Sequence, residues 1–143
     1  MSNFYDRARE GFVAGEIVWR ATGGSVIKAS AVRGYTFNIA HKFVSEAIGA
    51  GGTLVATETL NSLTNTNGVL DAADGVWEAM PEGPAVPHII IYQASAVTGG
   101  VDVPASQQRL ILFLDRGAGI PILPNGQNAN LNWSPGADRI GRF

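Results

Sequence analysis

The chain has 143 residues, 45% of them hydrophobic and 15% charged, with a formal net charge of −2. That composition builds the core of a single domain, 1–143, and excludes a disordered chain. With no cysteine there is no disulfide scaffold, thiolate zinc site or cysteine nucleophile, and no basic patch of the kind nucleic acids require is clustered in the sequence.

In chain order, Asn3 can cap a short helix from Phe4 to about Ala14, with Phe4, Ala8 and Phe12 on one face. Residues 1–15 therefore read as a helical N-terminal segment, weakened by Gly11 by about 1 kcal/mol relative to Ala. Ile17-Val18-Trp19 reads as an extended entry and Gly23-Gly24 as a turn. Val26 to Val32 alternates as a strand with Lys28 and Ser30 outward. Ile39, Phe43 and Ala47 are at helical spacing, which predicts a further short helix within Ile39–Ile48, ended by Gly49. Gly49 to Gly52 reads as a flexible joint, and Thr53 to Leu60 as a β-rich strand.

Residues 61–68 are polar and read as a loop, followed by the short apolar pieces Val69-Leu70 and Val76-Trp77. Pro81, Pro84 and Pro87 hold an extended connector. The His88–Tyr92 run and the five apolar residues Leu110 to Leu114 read as central strands buried on both faces, neighbours in one sheet. Residues 94–108 between them read as an exposed loop. Asn125-Gly126 is a turn signal, Ala129 to Trp133 alternates as the last long strand, and Ile140 to Phe143 closes the chain. The expected fold is mainly β: a β-sandwich of about seven or eight strands over 16–143, with a short N-terminal helix and one further short helix.

No segment approaches the roughly 20 apolar residues of a membrane span. The charged start MSNFYDRARE lacks the apolar run of a signal peptide, which implies a soluble protein made in a cytosol. Charge is uneven along the chain. Residues 1–42 carry six basic and three acidic groups, 43–108 carry seven acidic and no basic groups, and 109–143 carry four basic and two acidic groups. Opposed acidic and basic faces would favour ordered self-association, as a dimer or trimer.

The chemistry-bearing residues do not converge. His41 and His88 are the only histidines and read as structural or surface residues rather than as metal ligands or bases. Asp71-x-x-Asp74-Gly75 lacks the alternating ligands of a calcium loop and reads as a turn. The glycine-rich stretches lack a phosphate-loop lysine, and no serine elbow is present. Trp19, Trp77 and Trp133 lie in apolar or alternating segments, so core placement outweighs a sugar-stacking platform.

Several segments, in this order, resemble the small virion structural proteins of tailed bacteriophages, of the capsid decoration or cement type. They are FYDRAREGFVAGEIVW from Phe4 to Trp19, Y-T-F-x-x-A-H-x-F-x-S-E from Tyr35 to Glu46, and D-A-A-D-x-V-W from Asp71 to Trp77. Then come I-I-I-Y ending at Tyr92, the strand and glycine turn from Leu110 to Gly119, and N-x-N-W ending at Trp133, with a terminal aromatic at Phe143. The resemblance covers most of the chain. It departs at Gln93 and Ala94, where the family often has a basic residue, and in the loops 61–68 and 94–108.

The resemblance implies a non-enzymatic protein on the capsid surface of a virion. Its partners would be the major capsid protein and copies of itself, without cofactor, metal, nucleic acid or membrane. Other virion positions (tail, neck or baseplate) and a carbohydrate-binding β-sandwich are the alternatives. The contact residues expected are Phe4, Tyr5, Arg7 and Arg9 at the start, with Arg139, Arg142 and Phe143 at the end, against ordinary docking of both termini on their own domain.

Overall fold

The computed structural model describes residues 2–136 and 139–142. In chain order the elements are β1 (Ser2–Phe4), α1 (Asp6–Val13), β2 (Ile27–Arg33), α2 (Val44–Gly49), β3 (Thr53–Thr59), β4 (Val69–Leu70) and β5 (Gly75–Trp77). They are followed by β6 (His88–Gln93), β7 (Ser95–Ala96), β8 (Gly99–Asp102), β9 (Arg109–Leu114), β10 (Ala129–Leu131) and β11 (Gly141–Arg142). The mainly-β class holds. Among the described residues the strands form one five-stranded antiparallel sheet, β1-β9-β6-β2-β3, and three two-stranded ribbons, β5–β10, β4–β11 and β7–β8.

The two apolar runs are neighbours, as their composition requires. β6 and β9 pair antiparallel, and every residue of β9 is buried. Ala29, Ile91, Leu112 and Phe4 lie in line across one face of the sheet. Trp77 covers that face and donates its Nε1–H to the Ala29 carbonyl at 3.3 Å. Gly141 packs there too: a Cβ on it would lie 3.2 Å from the Phe4 ring. The opposite face carries Ser30, Ile90 and Phe113. The 35–50 segment covers it, with Phe37 stacked on Phe113 at 4.3 Å. Each strand of the sheet centre is thus buried on both sides, which explains why its sequence does not alternate.

The structure corrects several local readings. Phe4 is not helical: residues 2–4 pair with Leu112–Leu114, and the Tyr5 amide continues the ladder to the Ile111 carbonyl at 3.1 Å. The sheet edge therefore outcompetes the helix, which starts at Asp6 without a side-chain cap. Gly11, whatever it costs α1, lets the helix lie close. A Cβ there would meet Ile17 Cδ1 at 2.6 Å and Arg109 Nη2 at 2.7 Å. Ser30 is fully buried rather than outward, because its hydroxyl bonds Thr57 Oγ1 at 2.7 Å and Tyr92 OH at 3.1 Å.

The second helix is shorter than its periodicity suggested. Ile39 and Phe43 precede α2, since the Lys42 carbonyl is bound to β9 through the Leu110 amide at 2.9 Å. The Glu46 carboxylate then closes the helix start by accepting the Lys42 and Phe43 amides at 2.6 and 2.8 Å. The glycine joint is not free. Gly34 and Gly51 have φ of 75° and 94°, and a Cβ on either would lie 2.8 Å from the other's carbonyl oxygen. The 94–108 stretch is not a plain loop. It folds into the β7–β8 ribbon and a single 3-10 turn at Ala105–Gln107, and buries Ser95 and Gln108. The last alternating stretch forms only the three-residue β10.

Candidate functional site

The expected contact residues separate into three groups. Phe4 is 5% exposed and Tyr5 fully buried, so both belong to the protein's own core and are not surface contacts. Burial of their rings is what fastens the N-terminus to the sheet. Arg7 and Arg9 do stand exposed on α1, each paired within the helix, to Glu10 at 2.9 Å and Asp6 at 3.4 Å. The Arg9 guanidinium also sits 5.7 Å from the Phe4 ring centre. Arg139 and Arg142 are exposed, and Phe143 lies outside the described residues. Because Gly141 packs on Phe4, the sheet brings the two ends of the chain together. Arg139 lies beside Asp71, at 3.9 Å.

Both histidines are built into aromatic clusters. Tyr5 OH lies 3.0 Å from Tyr35 OH, which lies 2.9 Å from His41 Nδ1, and the Tyr35 and His41 rings stack. Burial and the Tyr35 hydroxyl push the Tyr5 phenol well above its ordinary range, so it stays protonated. Burial also pushes Tyr35 up, partly offset by its bond to Tyr5. Glu46 is pushed up by burial but held below the usual carboxylate value by the Phe43 and Lys42 amides, His41 and Arg7. His88 packs on Phe113 at 4.8 Å, and burial lowers its pKa against the opposing pull of Asp115.

The acidic turn serves the fold. Asp74 accepts the Trp133 amide at 2.8 Å, and the Asp71 carbonyl accepts the Trp19 indole at 3.2 Å. Among the described residues no three His, Cys, Asp or Glu side chains gather as a metal site. All three tryptophans are buried, so they form no exposed sugar platform. The charge asymmetry is partly folded back into the chain: Lys28 pairs with Asp102 at 2.5 Å, and Arg139 lies beside Asp71.

Sequence reading missed two polar residues that organise the interior. Arg109, 5% exposed, donates to Glu16 at 3.0 Å and to the Arg7 carbonyl at 2.6 Å. Gln93, 4% exposed, accepts the Val18 amide at 3.1 Å and the Ser25 hydroxyl at 2.6 Å, and donates to the Glu16 carbonyl at 2.8 Å. Gln93 does for the 16–18 segment what a paired strand would do. The available signal was position: each polar residue terminates an otherwise apolar run.

The described surface carries shallow clefts and a few exposed apolar side chains. A cleft of about 410 Å³ runs between the end of α1, Trp19 and Leu70. A shallow depression of about 680 Å³ lies around Phe37, Ile39 and His41. Among the described residues, Val13, Val101 and Leu123 are the most exposed large apolar side chains, on the end of α1, the β7–β8 ribbon and the 120–124 segment. Among the described residues no helix is long and apolar enough to cross a membrane. No protein-family model, no curated protein and no solved structure matches the chain.

Proposed function

We propose that this protein is a non-enzymatic structural component of a tailed-phage virion, of the capsid decoration type, that binds the outer shell where capsomers meet. The ordered motif resemblance from Phe4 to Trp133 supports this reading. The observation that carries it structurally is the placement of Val13, Val101 and Leu123 on three separate surface segments around a core whose central strand is wholly buried. A rigid body with dispersed apolar points can touch several neighbours at once. Binding the assembled lattice but not free coat subunits stabilises the lattice by mass action, by about 2.7 kcal/mol per site at a hundredfold excess over Kd. Repetition over many sites adds avidity.

The test is co-sedimentation with shells lacking the protein, with copies per shell counted. Saturation at hundreds of copies and greater resistance of the shells to heat support the proposal. No binding to shells, with a few copies per whole particle, would move the protein to the tail, neck or baseplate. Deleting residues 1–10 is no test of contact, because it removes the buried Phe4, Tyr5 and Ala8. Arg7→Ala with Arg9→Ala leaves the core intact and is the proper variant. Self-association as a dimer or trimer belongs to the same proposal, and a monomer by sedimentation at micromolar concentration would count against it.

A further inference from the structure

The chain contains two Asn-Gly steps, Asn67-Gly68 and Asn125-Gly126. Such a step is chemically labile, because the glycine nitrogen, with no Cβ beside it, can reach and attack the asparagine side-chain carbonyl. Sequence and exposure do not separate the two steps. Both asparagines are exposed, and Gly68 and Gly126 both hold left-handed backbone, at φ 76° and 80°.

Hydrogen bonding does separate them. Attack requires a free side-chain amide, a free glycine nitrogen and rotation of the backbone between them. At the second step all three are restrained. Asn125 Oδ1 accepts the Gln127 amide at 3.1 Å, and the Gly126 amide donates to the carbonyl of the buried Met80 at 2.9 Å. At the first step the Asn67 side chain makes no hydrogen bond to the described residues. The Gly68 amide reaches the Asn65 carbonyl only at 3.4 Å, longer than an ordinary bond of this kind. Asn67 also has φ 54° and ψ 33°, a left-handed break within the single turn Thr66–Gly68.

We propose that Asn67-Gly68 is a site of spontaneous deamidation in the folded protein, and that Asn125-Gly126 is protected from it. Gly68 N bonds to Asn67 Cγ as the Cγ–Nδ2 bond breaks. The glycine proton leaves with Nδ2 as ammonia, and a cyclic imide remains. Water then opens the imide at either carbonyl. One product is aspartate; the other is isoaspartate, whose backbone runs through the side-chain carboxyl and is one methylene longer.

The isoaspartate form acts on the fold through β4. Residues 65–70 form a loop closed by Thr64 and Asp71, which exchange two backbone hydrogen bonds at 3.0 Å. Gly68 leads directly into β4, which pairs Val69 with Arg142 and Leu70 with Gly141. A longer backbone inside that closed loop displaces β4, and with it the Leu70 carbonyl that holds the Ile140 amide at 3.1 Å. Deamidation therefore loosens the ribbon that fastens the end of the chain. Neither the reaction nor the loosening depends on binding to a shell.

The test ages the full chain in mildly alkaline buffer, with a parallel portion in urea. Digestion and mass spectrometry at intervals read the mass gain of amide to acid, peptide by peptide. In urea the two steps should react at comparable rates. In the folded chain Asn67 should convert at least about tenfold faster than Asn125, since Asn125 alone must break two good hydrogen bonds. Asn67→Gln should abolish the gain in its peptide. Equal folded rates at the two steps, or a gain that persists in Asn67→Gln, overturns the site.

Hydrogen exchange at the Ile140 amide reads the consequence. It is compared between the isoaspartate-containing fraction and Asn67→Asp, which carries the same charge on an unlengthened backbone. Faster exchange in the isoaspartate fraction supports the loosening. Equal exchange in the two overturns it and leaves the modification site to be judged by the masses.

Discussion

Gln93→Leu tests whether one buried amide substitutes for a strand. Leucine keeps the volume and removes both polar ends. The Val18 amide then loses its acceptor at 3.1 Å, at a cost of about 1–3 kcal/mol for a buried donor. Ser25 loses Gln93 Oε1 at 2.6 Å but keeps the Val18 carbonyl at 2.7 Å, so its contribution is small. The Glu16 carbonyl belongs to an exposed residue and can turn to water. The added apolar burial offsets part of the loss, leaving a net destabilisation of about 2 kcal/mol. For a chain of this size that lowers Tm by roughly 6 °C. Urea unfolding followed by tryptophan fluorescence reads the change directly. A loss below about 0.5 kcal/mol, the range of neutral surface substitutions, would refute the claim that Gln93 holds the 16–18 segment in place.

Gly51→Ala should destabilise by more than about 1 kcal/mol, because the new Cβ would lie 2.8 Å from the Gly34 carbonyl oxygen at a φ of 94°. Thermal unfolding checks this, and an unchanged Tm would restore the flexible-joint reading. Tyr5→Phe should cost about 0.5–1.5 kcal/mol, since it deletes one hydrogen bond while Tyr35 keeps His41; denaturant midpoints decide it. His88 gives a pH dependence of definite sign. Its folded pKa lies below the unfolded value of 6.5, so the unfolded chain takes up the proton first as pH falls. Its contribution is complete above that value and is lost as pH falls from there through the lowered folded pKa. From pH 8 to pH 5 the midpoint of wild type should fall relative to that of His88→Leu, and a constant difference between them would contradict this placement of His88.

Much of the strand order was legible because burial on both faces leaves a simple trace. Leu110–Leu114 and Ile89–Ile91 are continuous apolar runs, and only the centre of a covered sheet accommodates two of them side by side. The glycine and proline punctuation placed most connections. The N-terminal pattern misled by one turn: Phe4, Ala8 and Phe12 have helical spacing, yet Phe4 is claimed by the open edge of β9, which is distant in sequence. Spacing within a segment carries no information about a backbone ladder offered by another segment.

The candidate site shows the same division more sharply. Sequence alone determined the mainly-β class, the lack of cysteine chemistry and the scatter of histidines and carboxylates. Only the tertiary structure decided that Phe4 and Tyr5 face inward. It alone showed that Gln93 and Arg109 knit α1 and the 16–18 segment to the sheet. These relations depend on long-range register and on which polar atoms are left without partners after packing. Both are set by the whole fold satisfying its hydrogen bonds at once, and no local pattern of residue types records them.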